Sequence, residues 1–131
     1  MKITIISIFR DSELYIHNCL KSLDSLEQKT DAKFEYFFYE NDSKDKTKEI
    51  LNKWMKSKKG KLICEDINTP KFGSIVNKER FSLLAQYRNK LLEVGKPFDS
   101  DYSLILDSDV MFPDNIINQY LIYFKKDIVM I

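Results

Sequence analysis

An apolar run near the C-terminus, Tyr102-Ser103-Leu104-Ile105-Leu106, stops abruptly at Asp107-Ser108-Asp109. Its length and composition predict a β-strand covered on both faces. Two carboxylates at the end of such a strand are costly unless something offsets their charge. In open α/β sheets, ligands gather in the crevice beyond the carboxyl ends of the strands. Acids placed there, facing a nucleotide diphosphate, would be bridged to it by a divalent cation. Mn²⁺ or Mg²⁺ suits that place, because both take oxygen ligands, often one or two carboxylates plus phosphate oxygens. The plainer alternative is an acidic turn ahead of a helix starting near Pro113.

The remaining sequence alternates strand and helix signals. Ile3 to Phe9 is a β-branched run that reads as a central strand. Asp11 or Ser12 can cap a helix with Ile16, Cys19, Leu20 and Leu23 on its apolar face. Phe34 to Tyr39 reads as a second strand. Asn41, Asp42 or Ser43 can cap a second helix that turns Ile50, Leu51, Trp54 and Met55 inward. Lys61 to Cys64 is a short third strand, and Asp66 to Ser74 a loop with Pro70 and Gly73. A long helix from about Val76 to Val94 follows, with Gly95 and Pro97 as its stop signal. After the fourth strand, Tyr102 to Leu106, a helix begins at Asp114 and presents Ile116, Ile117, Tyr120, Leu121 and Phe124. Asp127 to Ile131 reads as the start of a fifth strand. This alternation predicts an α/β fold, a Rossmann-like parallel sheet with helices on both faces.

At 131 residues the chain suits a single domain. With 21 basic and 20 acidic residues the net charge is +1, and the bases are dispersed except between Lys53 and Lys61. That cluster, with Lys56, Lys58, Lys59 and Lys61 around Gly60, reads as a solvated helix end and turn. Nothing in the pattern indicates a nucleic-acid partner. Cys19 and Cys64 have no metal-ligand spacing and read as buried free thiols, which fits a reducing compartment. No segment is long and apolar enough to span a membrane, and no signal peptide precedes the first strand, so a cytoplasmic location is the expectation.

Three strand ends should open on one edge of the sheet. The first carries Arg10, Asp11 and Ser12, the second Glu40, Asn41, Asp42 and Ser43, and the fourth Asp107, Ser108 and Asp109. Convergent polar groups at strand carboxyl ends are what a nucleotide pocket requires. Helix capping is the competing role for Asp11, Ser12, Asp42 and Ser43. Glu40 lies ahead of the cap, where a carboxylate can accept from a base N–H or ribose hydroxyls. On the long helix, Phe81, Leu84, Ala85, Leu91 and Leu92 share one arc at 100° per residue, and Arg88 projects from its middle. An arginine there needs a carboxylate or a ligand. His17 falls near the polar side of the first helix and reads as a surface residue.

In this order the residues resemble the nucleotide-binding half of GT-A glycosyltransferases. Ile5-Ile6-Ser7-Ile8-Phe9-Arg10-Asp11, running to Cys19-Leu20-Lys21-Ser22-Leu23, looks like that family's first strand and helix, with Ile8 in place of the usual proline. Glu40-Asn41-Asp42-Ser43-Lys44-Asp45-Lys46-Thr47 is similar to its acid-acid-Gly-Ser-x-Asp-Gly-Thr signature. The form is nearest the Glu-x-Asp-Ser variant of fungal mannan and capsule mannosyltransferases. Ala85-Gln86-Tyr87-Arg88-Asn89 resembles the Ala-x-x-Arg-Asn element, and Asp107-Ser108-Asp109 the DxD motif.

The resemblance implies a nucleotide-sugar donor, GDP-mannose or a UDP-sugar, and a glycan or protein acceptor. It implies that Glu40 or Asn41 contacts the base or ribose and that Arg88 supports the nucleotide pocket. Asp107 would approach the ribose or the metal, and Asp109 would bind the metal. Family members continue into an acceptor-binding half, so the chain is expected to correspond to the donor half, residues 1–131. An exposed sheet edge offers a route to self-association. Two rival readings stand beside an enzyme: a non-catalytic nucleotide-binding or assembly module, and a nucleotidyltransferase. The latter usually has a glycine-rich loop that Phe9-Arg10-Asp11-Ser12 lacks.

Overall fold

The structure, a computed structural model, describes residues 1–96 and 99–124; the fifth strand expected from Asp127 lies outside them. The elements are β1 (Lys2–Phe9), α1 (Ile16–Lys29), β2 (Lys33–Asn41), α2 (Thr47–Met55), β3 (Gly60–Glu65), α3 (Lys78–Gly95), β4 (Tyr102–Asp107) and α4 (Ile116–Phe124). The strands pair in the order β3-β2-β1-β4, all parallel. Ile8 of β1 lies opposite both Tyr39 and Asp107, and Phe9 lies opposite Glu40. That register brings the ends of β1, β2 and β4 level, so the loops after them share one edge.

β1 is central and buried on both faces, as its β-branched run requires. On one face Ile3, Ile5, Phe9, Tyr36 and Phe38 meet Ile16, Cys19, Leu20, Leu23 and Leu26 of α1, Leu51 of α2 and Ile117 of α4. The α1 residues recur at three- and four-residue intervals, one stripe of a 3.6-residue helix. On the other face Ile6 and Tyr39 meet Tyr87 and Leu91 of α3, with the Tyr39 and Tyr87 rings stacked 4.6 Å apart. Burying each such aliphatic side chain contributes about 1.5–3 kcal/mol.

β4 departs from the two-sided burial expected of it. Tyr102, Leu104 and Leu106 pack into the α1–α4 face, while Ser103, Ile105 and Asp107 alternate outward and Ile105 is 53% exposed. The cause is that α3 lies over β1 and β2, not over β4. An outer strand covered on one side has the composition of a buried one but not its environment. Cys64 is likewise exposed where burial was expected, whereas Cys19 is buried.

Neither α1 nor α2 has a side-chain N-cap. The residues expected to cap them cross-link two loops instead. The Asp11 N–H donates to Ser43 Oγ (3.0 Å), the Lys44 N–H to Asp11 Oδ1 (2.7 Å), the Ser12 N–H to Thr47 Oγ1 (2.7 Å) and the Glu13 N–H to Asp45 Oδ2 (3.0 Å). The β1–α1 and β2–α2 loops are thus one hydrogen-bonded unit. α3 is capped by Asn77, which accepts from the Arg80 N–H, and ends with Lys96, not Gly95, in the left-handed conformation (φ 40°). Gly95 is inside the helix because a Cβ there would stand 2.9 Å from the Phe37 ring. Lys58, expected in a solvated cluster, is largely buried between Asp24 (2.8 Å) and Glu27 (2.6 Å).

Gly60 opens β3 at φ 134°, and a Cβ would lie 1.8 Å from the Tyr36 carbonyl oxygen. Only glycine lets β3 start this close to β2. Gly60→Ala is expected to lower stability by at least ~2 kcal/mol, combining left-handed strain with loss of the β2–β3 register. Gly73→Ala, with nothing within 4 Å of the added methyl, should change it little. Paired urea titrations of the two variants check this.

Candidate functional site

A crevice of about 610 Å³ opens at the carboxyl ends of β1, β2 and β4. Arg10, Asp11, Asn41, Arg88, Asp107, Ser108 and Asp109, all expected at the site, line it together with Tyr15, Pro70, Lys71, Phe72, Arg80, Phe81 and Tyr87. Glu40 does not. It is fully buried, and its Oε1 accepts from the Ser43 N–H (2.9 Å), while Oε2 has no hydrogen-bond partner among the described residues. Glu40 therefore shapes the β2–α2 loop from beneath, and the side chain after it, Asn41, faces the crevice.

The wall beside Asn41 is the loop after β3. Asp42 anchors it: Oδ1 accepts from the Ile67 and Asn68 N–H groups (2.7 and 2.8 Å), and Oδ2 from the N–H and hydroxyl of Thr69 (2.9 and 2.7 Å). Asn41 Nδ2 adds a bond to Oδ2 at 3.0 Å. Burial alone would raise the Asp42 pKa, but these donors outweigh it and hold the carboxyl well below the usual carboxylate range. Arg10 clamps the same loop from the other side. Its Nη2 donates to the Thr69 carbonyl (2.9 Å) and its Nη1 to the Pro70 carbonyl (3.0 Å). Asn41 Nδ2 also reaches Thr69 Oγ1 (2.9 Å) and Tyr87 Oη (3.4 Å). These bonds commit the Asn41 amide donors to protein.

Asp11 stands at φ 46° and pairs with Lys71 at 2.5 Å. Burial pushes its carboxyl up, and the Lys71 ammonium and Lys44 N–H more than reverse the effect, so Asp11 is held low. At the opposite lip Arg88 Nη2 lies 3.4 Å from Asp107 Oδ1, with the two side chains 44% and 74% exposed. Arg88 thus reaches a strand-end acid as its position suggested, but not by facing the core. The buried arc of α3 is rotated from the expected one: Tyr87 and Leu91 form its centre, flanked by Leu83, Leu84 and Leu92, while Phe81, Ala85 and Arg88 are exposed. The tyrosine displaces them because its ring stacks on Tyr39 and its hydroxyl reaches Thr69 Oγ1 (3.2 Å). An exposed pair such as Arg88–Asp107 contributes only about 0–1 kcal/mol.

Thr69 and Tyr87 are site residues that the sequence did not reveal, and Asp42, expected as a helix cap or ligand contact, anchors the loop after β3 instead. Asp42 had a signal: it occupies the glycine position of the signature and has φ 53°, a conformation that needs compensation in any residue with a side chain. Thr69, in an irregular loop, had none.

The class of protein follows. The sequence matches the profile of Glycosyl transferase family 2 over residues 4–130, and the chain belongs to that family. This sets aside the nucleotidyltransferase reading. Among solved structures, S. aureus TarS 1-349 superposes with a TM-score of 0.66 at 21% identity, covering 96% of this chain and 33% of that one. The same fragment in complex with UDP-GlcNAc gives 0.63 at 21% identity, with 96% and 32% covered, and its complex with UDP gives 0.64 with the same coverage. The chain therefore spans about a third of the solved proteins it resembles, and the fold it shares with them is GT-A. No curated relative matches the sequence. The likeness to fungal mannosyltransferases suggested by the Glu-x-Asp-Ser form finds no support in these matches. No helix among the described residues is long and apolar enough to cross a membrane.

Because Asp42 is depressed in the folded state, its contribution is fully present above its unfolded pKa of about 3.9 and fades as pH falls below that value. Asp42→Asn is expected to cost ~2–3 kcal/mol at pH 7. The gap between wild type and variant should narrow steadily below about pH 4. Denaturant unfolding at pH 7, 5 and 3 measures it; a gap independent of pH would refute the assignment.

Proposed function

We propose that this chain is the donor-binding half of a metal-assisted glycosyltransferase that takes a UDP-sugar. The observation that carries the reading is the convergence of Asn41, Arg88, Asp107, Ser108 and Asp109 on one crevice at the strand ends. Asn41 presents its carbonyl oxygen to a base N–H, and the loop clamped by Asp42 and Arg10 forms the wall beside the base. Asp107 lies where a ribose hydroxyl or a metal can be met, and Asp109 faces the phosphates.

No group of three or more His, Cys, Asp or Glu side chains able to hold a metal exists among the described residues. Asp107 and Asp109, both lining the crevice, would supply carboxylate oxygens to an Mn²⁺ or Mg²⁺ ion, the ligand type such ions take. Bound there, the ion would supply positive charge to offset that on a departing nucleoside diphosphate. Arg88, exposed at the lip, would exchange Asp107 for a phosphate oxygen when donor binds. The UDP preference is supported by the TarS complexes with UDP and UDP-GlcNAc. GDP-mannose is the alternative that the motif form suggests.

Calorimetry of UDP and GDP, each with Mn²⁺ and with EDTA, tests the proposal. UDP with Mn²⁺ is expected to bind tightest, and Asp109→Ala to abolish most of the metal's effect. Equal UDP affinity in EDTA and in Mn²⁺ would exclude the metal role; tighter GDP binding would reverse the donor assignment. Arg88→Ala is expected to change folding stability by less than ~1 kcal/mol. It should weaken UDP binding by about tenfold, as expected for one lost charge-assisted contact.

A further inference from the structure

A second concavity, of about 500 Å³, lies between α1 and α2, on the opposite face of the sheet from α3. Its floor is apolar: Leu20, Ile50 and Trp54. The Trp54 ring is fixed there, stacked on Phe38 at 5.6 Å, with its Nε1–H donated to Asp24 at 3.1 Å. The rim is basic. His17, Lys21, Lys46 and Lys53 border it, and none of the three lysines has an ion-pair partner among the described residues. Of the two rim acids, Asp24 shares Lys58 (2.8 Å) with Glu27 (2.6 Å), and with Glu49 the rim acids are still outnumbered by Lys21, Lys46 and Lys53.

We propose that this groove docks an acidic, amphipathic helical segment of a protein partner. An apolar floor bordered by three unpaired lysines, which outnumber the two rim acids, is complementary to a helix with an apolar stripe flanked by carboxylates. The wall from Lys46 to Trp54 spans about 12 Å at the helical rise, two turns of a partner, enough for anchors at i, i+3 or i+4, and i+7. A flat anionic membrane would touch the lysines and leave the floor wet, so the concavity favours a helix. Nothing in the donor crevice takes part, and the inference stands or falls separately from the proposed function.

Trp54 is the chain's only tryptophan, so its fluorescence reports occupancy directly. The probes are a helical peptide of leucines at i, i+3, i+4 and i+7 with glutamates between, its twin with lysines in place of glutamates, and phosphatidylglycerol vesicles. The acidic peptide is expected to shift Trp54 emission saturably and to bind at least tenfold tighter than its twin by calorimetry. Binding should weaken with salt and fall about tenfold in the Lys21→Glu/Lys53→Glu variant. That variant should keep its Tm and its UDP affinity; if its Tm falls, Lys21→Gln/Lys53→Gln replaces it. Equal binding of the two peptides, undiminished binding by the folded variant, or a response to vesicles with none to the acidic peptide would each overturn the proposal.

Discussion

The Asp42 carboxylate is the interaction on which the crevice depends. It carries a full charge at a residue only 7% exposed, and it is tolerated because backbone and side-chain donors of the β3–α3 loop converge on it. Without it three backbone N–H groups would lose their acceptor, and the loop that forms one wall of the site would lose its position. The left-handed backbone at Asp42 aims the carboxylate at that loop while turning Asn41 toward the crevice. One residue's conformation thus sets both a wall and the polar group that faces it.

The sheet supplies the frame for this anchor. β1 is buried on both faces, and the register of β1 with β2 and β4 levels the strand ends to within a residue. The β1–α1 and β2–α2 loops then meet side by side. Their short polar side chains bind one another's backbone more than they cap the following helices. Capping and cross-linking draw on the same residue types, because both need a short acceptor near unpaired N–H groups.

That ambiguity marks the limit of what the sequence made legible. Local periodicity located every described strand and helix to within a few residues, because β1 and α1 bury regular stripes. Seven of the eight expected site residues reached the crevice, six because their place at strand ends follows from topology and Arg88 because α3 carries it to the lip. What failed was long-range. Glu40 and Asn41 differ by one position on an alternating strand, and composition could not say which faced the crevice. The α3 arc was misplaced because Tyr87 behaves as a core aromatic only when Tyr39 is there to receive it. β4 looked two-sided because its uncovered face is a property of where α3 packs. Thr69 acts through partners 28 and 59 residues away.

The cross-linked loops have a consequence for how a ligand is received. At the Asn41 end the crevice wall is held by backbone N–H groups bonded to buried or half-buried side chains, so little conformational freedom remains to be lost there. At the Asp107 end Asp107, Asp109 and Arg88 are exposed, and a single contact joins Arg88 to Asp107. The crevice has one stiff wall and one soft wall. A rigid planar group is discriminated sterically at the first, with almost no ordering entropy. The second, if an anionic group reached it, would trade one counter-charge for another and tolerate variety in that group. Selectivity in such a cleft resides at one end and adaptability at the other.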